Sequence, residues 1–298
     1  MILVIVGPTA VGKSALAVAL AKHLQGEIIS GDSVQIYKEL NIGSAKPSVE
    51  DQGGIVHHLI DVYEIGQPYS VADFQREVRA KIDAILARGK TVIVCGGTGF
   101  YVKAALYDYV FDHAARDHDY EATLATKSNE QLYALLKLVD PDTAIKFHPN
   151  NRVRVMRALG YYHTNQQLIS AQTNKDQPVY EFLGIGLTME RSVLYERINA
   201  RVDAMLDAGL LDEIHSLIEK QDQIQAIGYN ELFDYVANQC SYEEAVDLIK
   251  QRSRQLAKRQ LTWFRNQMQL QWIDVTSLTL DAVVDAAMSI IEQEPSKR

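Results

Sequence analysis

A parallel α/β sheet interrupted by a helical insertion is the architecture this sequence predicts, from three observations. A short β-branched run, Ile2–Val6, ends at Gly7-Pro8 and is followed at once by a glycine-framed turn and a helix-forming stretch. Apolar strand-like runs then alternate with amphipathic stretches through residue 111, the pattern of a sheet covered on both faces. From about Phe111 the pattern is entirely helical, and no strand signal returns until residues 182–187.

The elements follow in order. Ile2–Val6 reads as a buried strand because it is continuously apolar and short. Lys13–Leu24 reads as a helix, with Leu16, Val18, Ala19, Leu20 and His23 spaced to bury one side. Residues 27–30 form a second strand that stops at Gly31-Asp32, and residues 70–88 a helix. Residues 92–95 form a third strand, closed by Gly96-Gly97. Beyond the strand at 182–187 the periodicity predicts long amphipathic helices, including 192–206 and 242–269. The expected division is a first part of the core at 1–111, a helical insertion at 112–185, and a mostly helical return to the core at 186–298.

Gly7-Pro8-Thr9-Ala10-Val11-Gly12-Lys13-Ser14 satisfies G-x-x-x-x-G-K-[ST] at every fixed position. Its chemistry belongs to the backbone: glycines let successive N–H groups point inward, and the helix N-terminus adds its dipole. Lys13 adds a point charge, and the Ser14 hydroxyl can ligate Mg²⁺. The expected class is therefore α/β, a P-loop NTPase-like parallel-sheet core with a helical insertion domain. Enzymes that move a γ-phosphoryl group usually close a hydrophobic strand with a metal-holding acid. Here residues 92–95 run into Gly96-Gly97-Thr98-Gly99, which has no carboxylate.

Strand ends in a parallel sheet converge on one crevice, so Gly7 to Ser14, Asp32 and Thr98 are expected to share a site. Asp32 reads either as a cap or turn residue or as a general base or metal ligand. Thr98 reads either as a turn hydroxyl or as a group that hydrogen-bonds the attacking atom. The pair His57-His58 lacks a third ligand at metal spacing and reads as structural, and Cys95 as core packing.

Charge is unevenly placed. The 298 residues carry 30 Lys and Arg against 38 Asp and Glu, a net charge of −8 that seems to disfavour a nucleic-acid partner. Yet two segments lack acids altogether: Lys146, Arg152, Arg154, Arg157 and Lys175 lie in one, and Lys250, Arg252, Arg254, Lys258, Arg259 and Arg265 in the other. With those eleven cations set aside, 19 bases face 38 acids, so an acidic body carries two purely basic stretches. They read either as solvated helix faces or as a polyanion site. On a helical wheel Lys250, Arg254, Lys258 and Arg265 fall within about 80°. Hydrophobic residues at 47% and two cysteines without metal or disulfide spacing describe an ordinary globular chain in a reducing compartment. The first apolar run is far too short for a membrane span and no basic region precedes it, so a cytoplasmic location with no membrane partner is expected. The chain is separately expected to be a monomer.

The segments GPTAVGKS, ISGDSVQIYKELNIGSAKP, HHLIDV, YSVADF, VCGGTGFY, HPNNRVRVMRAL, IGLTMERSVLYERINARVDAMLDAGLLDE, QAIGYNEL and RQLAKRQLTWFR, in this order, closely resemble the bacterial tRNA isopentenyl transferases, the tRNA dimethylallyltransferase family. The resemblance runs from residue 1 to about residue 272; it is weakest at 112–131, and the tail from Ile273 adds nothing. It implies transfer of carbon: the P-loop grips dimethylallyl diphosphate with Mg²⁺, and the acceptor is the exocyclic amine of the adenosine 3′ of the anticodon in tRNA. It further implies Asp32 as the base, Thr98 as orienter of the amine, and Ser33, Val34 and Gln35 as walls of the adenine pocket. Contacts to the anticodon stem-loop are implied for Tyr120, Val153, Arg154, Arg157, Gly228, Tyr229, Lys258, Arg259 and Arg265, with the helical insertion acting as a clamp.

Some positions depart from the family. Near Tyr120 many relatives carry an arginine, so either the aromatic stacks instead or Arg116 substitutes, and Gln225 and Asn230 stand where some relatives have arginines. The lack of a zinc-finger extension implies a bacterial or organellar enzyme. A P-loop small-molecule or nucleotide kinase, a non-catalytic RNA-binding switch and prenyl transfer to free AMP are the competing readings.

Overall fold

The computed structural model describes residues 1–111, 117–171 and 176–293. Two compact units divide the chain, Met1–Tyr107 with Pro178–Arg298, and Asp108–Gln177. The sheet-bearing unit begins with β1 (Ile2–Val6), every residue of which is buried, as a central strand covered on both faces requires. After α1 (Lys13–Leu24) come β2 (Gly26–Ser30) and a two-residue strand, β3 (His57–His58). Next, α2 (Val71–Ala87) starts at a reciprocal cap: the Ser70 side chain accepts from the Asp73 amide while Asp73 returns to the Ser70 amide. β4 (Thr91–Gly96) and α3 (Gly99–Leu106) complete this first part.

The helical unit is α4 (His118–Ala125), α5 (Asn129–Val139), α6 (Pro141–Lys146) and α7 (Arg152–Asn165). It has its own core: Leu124, Leu132, Leu136, Ala144, Val155, Ala158 and Leu159 are all buried together. Arg152 belongs to that framework, since its guanidinium donates to the Lys127, Leu124 and Ala125 carbonyls and to Asn129 Oδ1.

The chain rejoins the sheet earlier than the residue 186 expected from sequence. Tyr107 bridges to Pro178, and β5 (Leu183–Thr188) lies parallel to β1. Then follow α8 (Arg191–Asp207), α9 (Leu210–Ser216), α10 (Tyr229–Val236) and the 26-residue α11 (Tyr242–Gln267), itself opened by a Ser241–Glu244 capping box. Beyond it lie β6 (Gln271–Asp274) and α12 (Leu280–Gln293). Among the described residues all strand-to-strand pairings of the sheet are parallel, in the order β3-β2-β4-β1-β5-β6.

Sequence periodicity did not predict β3 or β6, because two and four residues are too few to establish a period. The tail from Ile273 is likewise part of the fold: Ile273, Val283, Val284 and Ala287 are buried in the main core with Leu16 and Leu20 of α1. A second core under α8 to α11 gathers Leu40, Val202, Leu210, Ile214, Tyr229, Leu232 and Ile249. No helix among the described residues is long and apolar enough to cross a membrane.

His58 is structural, as its lone spacing suggested. With Arg88 and Lys90 it surrounds the buried Glu27 carboxylate on β2, at 2.7, 2.7 and 2.8 Å. These three partners outweigh the cost of burial and hold the Glu27 pKa at about 2.

Candidate active site

In this sheet β1 sends the chain to one side, through α1 to β2, and receives β5 on the other. Ligands of open α/β sheets bind where strand order reverses, beyond the carboxyl ends of the strands. A cavity of about 330 Å³ lies there. Its walls include Thr9, Lys13 and Ser14 of the loop after β1, Asp32 and Gln35 after β2, Gly96 and Gly97 after β4, and Arg201 and Gln260 from α8 and α11.

The phosphate loop takes its shape from Gly12, whose φ of +104° places it in the left-handed region just before α1. Lys13 turns back so that its Nζ donates to the Pro8 carbonyl at 2.7 Å. Its ammonium is partly desolvated, which lowers its pKa to about 8; the positive charge of Arg201 acts in the same direction, and Asp32 opposes it. Arg201 donates to Thr9 Oγ1 at 3.2 Å, and burial lowers its pKa while Asp32 again opposes the shift. The cavity thus holds two cations against one carboxylate.

Asp32 is fixed by its own turn. Its Oδ1 accepts from the Val34 and Gln35 amides at 2.8 and 3.3 Å, so the turn-residue and site-residue readings are both met by one side chain. The Thr98 hydroxyl accepts from the Ser33 amide at 3.3 Å, which joins the β4 loop to the turn that carries Asp32. Thr98 itself does not line the cavity. The Gln35 side chain is fully engaged, accepting from Ser30 Oγ and donating to the Ser44 and Ala45 carbonyls. Cys95 contacts the same cavity, and burial pushes its thiol up to about 11, which keeps it a neutral packing group.

Among the described residues, no three His, Cys, Asp or Glu side chains gather to hold a metal. Asp32 is the one carboxylate of the cavity lining, and the Ser14 hydroxyl is exposed at the head of α1. This sparse oxygen set suits Mg²⁺, which keeps several waters and takes most of its remaining ligands from substrate phosphates.

The residues of the two basic segments divide into exposed and engaged groups. Val153, Arg154 and Arg157 are exposed on α7, with Arg154 packed over the Phe147 ring at 5.9 Å. Lys258, Arg259 and Arg265 are exposed on α11, where Arg265 lies over the Trp272 ring. The rest of the α11 stripe serves the fold. Lys250 pairs with Asp203 at 2.5 Å, Arg252 with Glu231 at 2.7 Å, and Arg254 with Asn199 at 2.6 Å.

Tyr229 is a correction. It is 0% exposed, and its hydroxyl donates to Glu213 Oε1 at 2.6 Å, so its side chain has no surface to offer. Gly228 is also buried, although it lines the cavity. The Tyr120 ring stacks on His163 at 3.8 Å, so one of its faces is already covered. Arg116 and Lys175 lie outside the described residues.

Sequence reasoning gave no role to Arg201 or Gln260. The only available signal was their position within segments shared with the isopentenyl transferases, because each reaches the loop from far along the chain.

The family model described as IPP transferase matches residues 35–267. A tRNA dimethylallyltransferase of Geobacillus thermodenitrificans is 50% identical over 285 residues, spanning 92% of this chain and 90% of that protein. The crystal structure of the full-length tRNA isopentenylpyrophosphate transferase from Bacillus halodurans superposes with a TM-score of 0.75 at 41% identity, covering 98% of this chain and 95% of that one. A eukaryotic dimethylallyltransferase acting on tRNA superposes with a TM-score of 0.85 at 29% identity, covering 100% of this chain and 81% of that one.

Proposed function

This chain belongs to the IPP transferase family, and from that premise we propose how its cavity performs the family's chemistry. The enzyme transfers the dimethylallyl group of dimethylallyl diphosphate to the exocyclic amine of the adenosine 3′ of the anticodon in tRNA, releasing diphosphate. The observation that carries the reading is one cavity lined by two cations suited to a diphosphate, Lys13 and Arg201, and by a carboxylate, Asp32, whose Oδ1 is fixed by two amides.

The diphosphate is held by the loop amides between Ala10 and Ser14 and by the Lys13 ammonium, with Arg201 beside the Thr9 hydroxyl. The Ser14 hydroxyl would hold Mg²⁺, which would supply further positive charge for the diphosphate leaving group. The adenine amine attacks the allylic carbon, and the carbon–oxygen bond to the diphosphate breaks. The amine must lose a proton to remain alkylated, and Asp32 accepts it at Oδ2 while Oδ1 stays bonded to the two amides. Ser33 and Val34 flank the entering adenine, and Thr98 orients the amine through the turn at Ser33. Extrusion of the base from its stack is the usual access to such an atom, least costly in a single-stranded loop. Exposed cations of α7 (Arg154, Arg157) and of α11 (Lys258, Arg259, Arg265) take the phosphate backbone.

The test is incubation of the purified protein with labelled dimethylallyl diphosphate and unmodified tRNA, without ATP. Label in the tRNA is the expected result. No label in RNA, with ATP consumed in a parallel incubation that contains it, would favour a kinase, and label only in AMP added to a third incubation would move the acceptor to a mononucleotide.

A further inference from the structure

The donor and acceptor halves of the cavity are joined by one side chain that no part of the reaction above uses. Gln260 Oε1 accepts from the Thr9 amide of the phosphate loop at 2.8 Å, and its Nε2 donates to the Gly97 carbonyl at 3.0 Å. Thr9 lies on the diphosphate side. Gly97 precedes Thr98, whose hydroxyl holds the Ser33 amide beside Asp32. A single carboxamide therefore spans the leaving-group loop and the β4 loop that holds the Asp32 turn through Thr98.

The docking of α11 makes this span rigid. Gln260 and Trp263 are one helical turn apart on the same face, and each sits on a glycine of the β4 loop. A Cβ at Gly97 would lie 2.5 Å from Gln260 Nε2, and one at Gly99 would lie 2.2 Å from the Trp263 ring. Real Cβ atoms do not approach that closely, so Gly99 leaves room for the Trp263 ring, and a side chain at Gly97 would push the Gln260 carboxamide from its place. On the same helix Lys258 and Arg259 are exposed. One rigid element thus carries outward cations and, a residue or two away, the inward link across the reaction centre.

We infer that Gln260 is a positioning residue for the transfer step: it sets the separation and alignment of the diphosphate loop and the acceptor turn, and so the approach of the amine to the allylic carbon. The inference rests on the prenyl-transfer reading. Alkyl transfer needs the nucleophile in line with the breaking bond, and a displacement of about 1 Å can cost on the order of 10²-fold in rate.

The experiment compares Gln260→Met, which keeps length and packing but loses both hydrogen bonds, with Gln260→Glu. The glutamate keeps an acceptor for Thr9 but has nothing to donate to Gly97. Single-turnover rates, KM for each substrate and thermal midpoints are measured on the full chain. The expected result is a kcat lowered on the order of 10²-fold in Gln260→Met. KM for diphosphate and tRNA should stay within a few-fold, the midpoint should be unchanged, and Gln260→Glu should be similarly slow.

A wild-type rate in Gln260→Met would overturn the inference while leaving the reaction intact. So would a loss confined to KM for tRNA, which would make Gln260 an RNA contact. A loss that follows a lowered midpoint would assign the residue to folding instead. If wild-type protein placed no label in tRNA, the reaction and the inference would fall together.

Discussion

Replacing Asp32 by asparagine separates its two roles. The asparagine oxygen can still accept from the Val34 and Gln35 amides, where Asp32 Oδ1 now accepts at 2.8 and 3.3 Å, so the turn and the overall stability should persist. What disappears is the proton acceptor. General-base catalysis by a positioned side chain contributes typically 10²- to 10⁴-fold, so kcat for Asp32→Asn should fall by about that factor. Affinity for tRNA should be nearly unchanged, since the RNA contacts proposed on α7 and α11 are untouched.

A second consequence follows from charge. Asp32 raises the Lys13 pKa, which stands at about 8, against the effect of burial. Lys13 is protonated below that pH, so activity that needs its charge should decline as pH rises through about 8 in the wild type. Without the Asp32 charge the same alkaline limb should move to lower pH. Single-turnover transfer measured from pH 6 to 9 reads both effects, about the Lys13 value. A wild-type rate in Asp32→Asn would refute the base assignment, and an unmoved limb would refute the electrostatic coupling.

Other expectations concern binding and stability. Binding of diphosphate should draw the Lys13 ammonium back to its charged form, so calorimetry at pH 8 in buffers of different ionisation enthalpy should show uptake of about half a proton, and Lys13→Ala should abolish it. Arg157→Ala and Lys258→Ala should weaken tRNA binding and reduce the slope of log K against log salt by about 1 each; an unchanged slope would return them to solvated surface. Tyr229→Phe removes a part-buried hydrogen bond to the Glu213 carboxylate, which keeps the Asn41, Ile42 and Gly43 amides, and should cost about 1.5 kcal/mol in denaturant unfolding, without a specific loss of tRNA affinity.

The residues that were legible share a local cause. Gly7 to Ser14 acts through the backbone shape of eight consecutive residues, and that shape is written in glycine placement and in the strand and helix on either side. Asp32 was expected in the crevice because strand ends in a parallel sheet open onto one side, and it lines the cavity; Thr98, expected there by the same rule, does not line it and meets the site only through the Ser33 amide. Net charge was misleading until its placement was considered, and placement alone was still too coarse. Of the cations on α11, Lys250, Arg252 and Arg254 are held by partners on α8 and α10, which a helical wheel has no means of showing.

The same limit explains Tyr229. A tyrosine inside a motif resembles an RNA contact until its neighbours are known, and here it is a core residue bonded to Glu213. Sequence by itself determined the phosphate-loop motif, the parallel sheet and the placing of Asp32 at a strand end, because each depends on contiguous residues or on a general rule of strand topology. Only the tertiary structure decided which side chains complete the cavity. Gln260 meets Thr9 across 251 positions and Arg201 meets it across 192. Contacts of that range are set by how α8 and α11 dock on the sheet, and helix docking is fixed by packing of whole faces, which no local pattern encodes.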